Sequence, residues 1–347
     1  MGGVLIYGAT GYTGKLVAAR AKAIGMTPIL AGRNEAKVQA LAEQLGFKWR
    51  AADIDDPTAL DRALEGIEVV LHIAGPFSAT SRQMADACIR NKAHYLDITG
   101  EISVIEALAA RSNEAAAAGV MLMPGVGFDV VPSDCLAARV AGRVKQPQEV
   151  TLAIGGMEKA SRGTLKSSLE SVGNPVRVRR GGRIDTTWPP PRRKFDFGHG
   201  ERDAIAVGWG DVSTAYHSTG AADITVYFEA VPQFQQMAKM SGFTRRLLST
   251  RFMQAVLKMA VDRMPEGPTD AERARGQAVL IGEAVGADGQ KATARLTTPE
   301  GYTLTTYTAL EIVCRVLAGE AKPGFQTPSK VFGADFIAGI EGCAFEY

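Results

Sequence analysis

The chain has 347 residues, of which 46% are hydrophobic and 22% charged, with a formal net charge of +2. That length divides into two domains, each large enough for its own core, and so small a charge excludes a dedicated nucleic-acid binder. The four cysteines (Cys88, Cys135, Cys314, Cys343) are far apart and form no C-x-x-C pair, which excludes a disulfide framework, and the four histidines (His72, His94, His199, His217) sit in no ligand-spaced cluster, so no metal site is expected. A strand begins almost at once, leaving no room for a leader peptide, and no apolar run reaches the roughly 18 residues of a spanning helix. The expectation is a cytoplasmic protein.

The first element is a short apolar strand, Val4-Leu5-Ile6-Tyr7. It runs into Gly8-Ala9-Thr10-Gly11-Tyr12-Thr13-Gly14, and a helix-compatible stretch from Lys15 to Ile24 follows. Strand, glycine turn and helix in that order suit a dinucleotide pyrophosphate. Gly8 makes the tight turn, Gly11 lets phosphate approach the backbone, and Gly14 lets the helix pack on the sheet. The free N–H groups and positive dipole end of the helix then face the anion. Gly8, Thr10, Gly11, Tyr12, Thr13 and Gly14 are therefore cofactor-binding candidates.

A second strand, Pro28 to Ala31, ends in Gly32-Arg33-Asn34. An acid at this point would take the ribose 2′-hydroxyl of NAD; Arg33 instead suits the 2′-phosphate of NADP(H). Asn34, beside it, caps a helix over 35–45. A third strand over 48–52 ends at Asp53, a candidate neighbour of the adenine. Pro57 opens a helix to about Leu64.

Val69 to Ala74 is continuously apolar, as a strand buried on both faces should be. It ends in Gly75-Pro76-Phe77, so Ala74, Gly75, Pro76 and Phe77 fall beside the phosphates and nicotinamide ribose. His72, inside the strand, reads as a core histidine. A helix over 81–91 leads to the strand His94-Tyr95-Leu96-Asp97-Ile98-Thr99-Gly100-Glu101, then a helix over 103–118 and a strand over 120–124. The unbroken β-α alternation predicts an α/β fold with a Rossmann-type doubly wound parallel sheet.

Gly125 to Asp134 then emerges at the same edge. Asp129 and Ser133 serve equally well as site residues or as a turn residue and a helix cap. Downstream, strands over 149–155, 183–187, 193–197, 204–209 and 223–230, a helix over 161–172, and a hairpin of 273–287 with 290–298 predict an antiparallel α+β domain. Arg177 to Lys194 holds seven basic residues and one acid, Asp185, which reads as a solvated loop or a lure for an anionic substrate. An amphipathic helix over 244–264 suits packing in its own fold, a twin subunit or an acidic membrane surface. A final helix, 305–318, should return to the first domain. The division is 1–132 with the C-terminal helices 305–347 as the dinucleotide-binding domain, and 133–304 as an α+β substrate or dimerisation domain.

Together, Gly8-Ala-Thr-Gly-Tyr-Thr-Gly, Ala31-Gly-Arg, Ala74-Gly-Pro-Phe, His94-Tyr-Leu-Asp-Ile-Thr-Gly-Glu and Gly127-Phe-Asp-Val-Val-Pro-Ser-Asp resemble the saccharopine dehydrogenase-like oxidoreductase family. The likeness is greatest to the branch holding the mycobacterial trans-acting enoyl reductases. Gly267-Pro268-Thr269, Gly301 to Thr305 and Gly324 to Pro328 extend it over nearly the whole chain. The resemblance implies an NADP-type Rossmann domain, a second α+β domain inserted before the C-terminal helices, and hydride transfer to a C=N or C=C bond. The expected function is an NADP(H)-dependent oxidoreductase acting on a small molecule, a homo-oligomer without nucleic-acid partner or spanning segment, with peripheral membrane contact left open. The rival is a non-catalytic NADPH-binding sensor or partner subunit. Proton-donor candidates are Tyr95, Asp97 and Asp129, with His199 behind them; no Tyr-x-x-x-Lys relay is present.

Overall fold

A computed structural model of the chain describes residues 3–156, 161–163, 165, 174–230, 248, 250–261 and 263–346. The helix expected over 161–172 and the flanks of that over 244–264 lie largely outside the described residues. The chain divides into two compact units, Met1–Val131 with Gly301–Glu341, and Pro132–Glu300 with Gly342–Tyr347.

The first unit alternates β1 (Gly3–Tyr7), α1 (Tyr12–Ala23), β2 (Ile29–Gly32), α2 (Glu35–Leu45), β3 (Trp49–Ala51), α3 (Pro57–Ala63), β4 (Ile67–His72), α4 (Phe77–Asn91), β5 (His94–Asp97), α5 (Ile102–Ala109), α6 (Ser112–Ala117) and β6 (Met121–Met123). Leu5, Ile6, Leu30, Val70, Leu71, Tyr95, Leu96 and Leu122 are buried to completion or nearly so. Each such side chain stabilises by roughly 1.5–3 kcal/mol, which is why these strands read as apolar runs without alternation. The single helix expected over 103–118 is two, α5 and α6. The break falls at Arg111, whose guanidinium reaches Asp86 of α4 at 2.7 Å and Glu114 at 2.8 Å.

The second unit opens with α7 (Val131–Ala141) and continues with β7 (Pro147–Gly155), β8 (Val176–Arg180), β9 (Arg183–Thr187), β10 (Arg192–Asp196), β11 (Glu201–Val207), α8 (Asp211–Thr219), β12 (Asp223–Glu229), α9 (Arg251–Val261), α10 (Asp270–Arg275), β13 (Gln277–Gly286) and β14 (Lys291–Pro299). The sheet order is β10-β11-β12-β7-β13-β14-β16, where β16 is Ala344–Glu346, and β8 and β9 continue from β12. The sheet is mixed, since β12 and β7 run parallel. Residues 273–275, expected at the head of a strand, form the end of α10 instead. Thr269 and Glu272 make a reciprocal capping box there, and its S/T-x-x-E spacing outweighs the strand pattern of the residues that follow. The seven basic residues of 177–194 lie on β8, β9, β10 and their turns, not in a loop.

The chain re-enters the first unit with α11 (Gly301–Arg315), a π-helical turn (Val316–Glu320), β15 (Gly324–Phe325), α12 (Pro328–Phe332) and a short 3₁₀ turn (Phe336–Gly339). The first sheet has the order β15-β6-β5-β4-β1-β2-β3. All six pairings are parallel. Strand order reverses between β1 and β4, the switch point at which doubly wound sheets open a crevice. Every strand points the same way, so the turns after β1, β2, β4, β5 and β6 emerge at one edge.

Candidate functional site

Gly8 leaves β1 with φ +89°, and a Cβ on it would stand 2.7 Å from the Ala74 nitrogen. No L side chain fits that position. Gly14 seats α1 against the turn: its Cβ would meet the Gly8 carbonyl oxygen at 2.3 Å. Gly8 N–H donates to the Ala31 carbonyl at 2.9 Å and Gly11 N–H to the Gly8 carbonyl at 3.1 Å, which closes the turn. Gly11 is the N-cap of α1, with no side-chain cap and no acid in the first turn. A Cβ at Gly11 would touch only the Gly8 oxygen, at 3.5 Å. The helix start thus has no side-chain cap of its own, which suits a phosphate. Thr10 and Thr13 are partly buried beside it. Tyr12 stands edge-on to Tyr302 of α11, ring centroids 5.1 Å apart.

Arg33 is exposed just past β2. Asn34 spends its side chain on the Lys37 N–H, 3.0 Å away, as the cap of α2. Asp53 is exposed after β3 and makes a local turn to the Asp55 N–H at 3.1 Å. Tyr7, at the end of β1, donates its hydroxyl to the Ala52 carbonyl at 3.0 Å. Burial, with the nearby Asp53 charge, pushes that phenol up to about 12, so it stays protonated.

The turn after β4 holds Ala74, Gly75, Pro76 and Phe77, and α4 begins at Phe77, four residues before the helix expected at 81. Its N-cap, Pro76, has no side-chain acceptor to offer. The cap comes from Glu101 after β5: Phe77 N–H donates to its Oε1 at 2.9 Å and Ser78 N–H to its Oε2 at 2.8 Å. Nothing within the helix's own sequence signals that cap. His72 lies wholly in the core, its Nε2 3.0 Å from Thr80 Oγ1 and its ring edge-on to Phe77. Thr80 donates its hydroxyl proton to the Ala74 carbonyl at 2.7 Å, so His72 Nε2 is the donor. Burial lowers its pKa to about 3, and it stays neutral.

Tyr95 and Asp97 are both fully buried, and Tyr95 donates its hydroxyl to Asp97 Oδ2 at 2.6 Å. Asp97 Oδ1 accepts the Thr99 and Gly125 N–H groups at 2.8 and 3.0 Å. Burial raises the Asp97 carboxyl to about 6 against these bonds. The pair braces the ends of β5 and β6 and presents no surface to a substrate. Asp129 is different. Val130 N–H donates to the Phe128 carbonyl at 2.8 Å, a three-residue turn with Asp129 at its apex. Val130 follows with φ +127°, a strained conformation for a β-branched residue. The turn is held by α11: Phe128 N–H donates to Thr305 Oγ1 at 3.0 Å, and Thr308 donates to the Val126 carbonyl at 2.8 Å. Desolvation lifts the Asp129 carboxyl to about 7. No hydrogen-bond or ionic partner of that carboxyl is found among the described residues. Ser133 is buried in the first turn of α7, and His199 is exposed in the turn between β10 and β11.

No cluster of three or more metal-ligating side chains occurs among the described residues, and no described helix is long and apolar enough to cross a membrane. What the first unit offers is a strand-turn-helix of dinucleotide-binding form: a glycine turn only glycine fits, a helix start without a side-chain cap, and an exposed arginine just past β2. These features and the strand order define a two-unit protein of the Rossmann dinucleotide-binding class. Comparison with known proteins agrees. Residues 4–123 match the family model described as saccharopine dehydrogenase NADP binding domain. The human saccharopine dehydrogenase-like oxidoreductase is 26% identical over 214 residues, 54% of this chain and 50% of that protein. The trans-acting enoyl reductase of Mycobacterium leprae is 31% identical over 149 residues, 41% of this chain and 36% of that protein. These matches span half or less of the curated relatives' lengths. Apo saccharopine dehydrogenase (L-Glu forming) from Saccharomyces cerevisiae superposes over 100% of this chain and 99% of its own, with a TM-score of 0.69 and 16% identity, a likeness of fold. Residues 4–123 thus match a saccharopine dehydrogenase NADP-binding domain, and the chain is similar to the saccharopine dehydrogenase-like oxidoreductase over about half its length.

Proposed function

We propose that the protein is an NADP(H)-dependent oxidoreductase that reduces, or in reverse forms, a C=N or C=C bond of a small molecule. The observation that carries this is the pairing, on one sheet edge, of a dinucleotide cradle with a desolvated carboxyl, Asp129, that has no partner among the described residues. The Gly8–Gly14 turn and the α1 N-terminus would hold the pyrophosphate. Arg33 would pair with the 2′-phosphate, with Asn34 and Asp53 near the adenosine. Ala74 to Phe77 would line the nicotinamide side. The residues fit NADP(H), which supplies the hydride when bound.

Reduction adds a hydride to one end of the double bond and a proton to the other. Asp129, whose proton is retained near neutrality, gives it to the atom that receives the electron pair, and is left as a carboxylate. Solvent then restores the proton. Residues 133–304 carry the substrate or subunit contacts in this reading. A calorimetric titration with NADPH and, separately, NADH tests it. Tight NADPH with much weaker NADH is the expected result. Binding of neither would remove the oxidoreductase reading.

A further inference from the structure

Three parts of the carboxyl edge converge on Thr99-Gly100-Glu101. Thr99 is fully buried, and its N–H is held by Asp97 Oδ1 at 2.8 Å. Its Oγ1 accepts the Glu101 N–H at 3.1 Å. Glu101 reaches back to the first two amides of α4, at 2.9 and 2.8 Å. Gly100, between them, is the seat of Asp129: a Cβ on Gly100 would stand 3.2 Å from Asp129 Oδ2. The residue that caps α4 therefore adjoins the residue on which the acid rests.

Capping alone needs no such arrangement. A Ser, Thr, Asp or Asn at the N-cap would satisfy the same amides locally, as Asn34 does for α2 and Asp56 for α3. At α4 the N-cap is Pro76, and the acceptor comes from the next strand end. A bidentate, charge-assisted bond is also stiffer than a hydroxyl cap. It sets the turn after β4 and the seat of Asp129 at one spacing, through a three-residue segment whose first member, Thr99, is held by Asp97.

We infer that Glu101 is a positioning residue: its double hold on the Phe77 and Ser78 amides fixes the spacing between the nicotinamide-side turn and Asp129. The inference rests on the roles proposed above for that turn and for Asp129. The energetic logic is that reacting groups must be held at near-contact geometry, and an error of about 1 Å costs roughly a hundredfold in rate.

The test uses the full chain labelled with carbon-13 at aspartate Cγ, the Asp129 resonance being the one absent in Asp129→Asn. Glu101→Asp keeps the charge at the helix end but is one methylene too short to reach both amides. Two readouts follow: the midpoint of the Asp129 titration in the protein alone, and the nicotinamide fluorescence of bound NADPH. For Glu101→Asp we expect an NADPH Kd within about twofold of wild type, since the glycine turn and Arg33 are intact. The bound nicotinamide fluorescence should fall by about half or more, and the Asp129 midpoint should move by about half a pH unit or more. A variant that unfolds more easily while both readouts stay at wild-type values would overturn the inference, for Glu101 would then be a cap and nothing else. If Glu101→Asp does not fold, Glu101→Gln, with full length and one acceptor, is read in the same way. Should wild type bind no NADPH, the proposed function falls, and the Asp129 midpoint in the unliganded variants still decides the role of Glu101.

Discussion

The two sheets of this protein place glycine and polar residues by different rules. In the first unit the strands are parallel and largely buried, and the exposed candidate residues lie in turns beyond their carboxyl ends. In the second unit some strands of a mixed sheet alternate, as in β12, where Ile224, Val226 and Phe228 are buried and their neighbours are not. Its polar groups are spread over faces and turns. A parallel sheet covered on both faces leaves one free edge for function; a sheet with a more open face scatters polar residues without marking a site.

Glycine substitution should break this contrast most sharply. Gly8 and Gly181 both have positive φ, but a Cβ on Gly8 meets backbone at 2.7 Å while one on Gly181 meets nothing within 4 Å. Gly8→Ala should therefore cost about 3 kcal/mol or more and abolish NADPH binding. Gly181→Ala should cost about 1 kcal/mol, the conformational penalty alone. Thermal unfolding and calorimetry on the pair decide the matter; equal losses would mean the turn after β1 is not a sterically closed cradle.

Asp129→Asn comes next. Turnover of any reducible substrate should drop about 10²- to 10⁴-fold, with NADPH affinity unchanged. Wild-type reduction should decline as pH rises through about 7, because the acid form is lost. The stability effect has the opposite sign to that of an ordinary paired aspartate. The folded-state pKa lies above the unfolded value, so the folded chain binds the extra proton and this group's contribution fades between about pH 4 and 7. Asp129→Asn should accordingly raise stability at pH 8, by about 1–2 kcal/mol after allowance for its partial exposure. Denaturant titrations at pH 5 and 8 would show it, and a variant less stable at both would contradict the desolvated-acid picture.

Arg33→Ala should weaken NADPH by about 1.5–3 kcal/mol, the worth of a charge-assisted hydrogen bond, and leave NADH nearly unchanged. Equal losses for both cofactors would remove the 2′-phosphate role. The smallest effect belongs to the second unit. Arg193 meets Glu283 at 2.7 Å on the sheet surface, its side chain 44% exposed. Arg193→Ala should change stability by less than about 1 kcal/mol and NADPH binding not at all. A large loss of cofactor there would refute the assignment of binding to the first unit.

The residues that made the first unit legible act locally. Gly8 and Gly14 are set by the backbone of one turn, Asn34 caps the helix it precedes, and the apolar run ending at His72 marks a doubly covered strand. Asp129 could be named from the sequence but not distinguished from an ordinary turn residue. Its lifted pKa depends on desolvation by the surrounding fold, and the turn that carries it is clamped by Thr305, 177 residues away from the amide it holds. Tyr95 and Asp97 stand ahead of it as proton-donor candidates in the sequence, yet their bond to each other and their complete burial make them a brace. The start of α4 was missed for the same reason, its cap being Glu101 from another strand end.

The sequence by itself therefore determined the parallel sheet of the first unit and its glycine turn, because backbone conformation, helix caps and strand burial follow from short-range residue order. Only the tertiary structure decided which carboxyl is desolvated and without a partner among the described residues and which is spent on backbone amides, because desolvation and hydrogen-bond partnership depend on chain segments that meet only on folding.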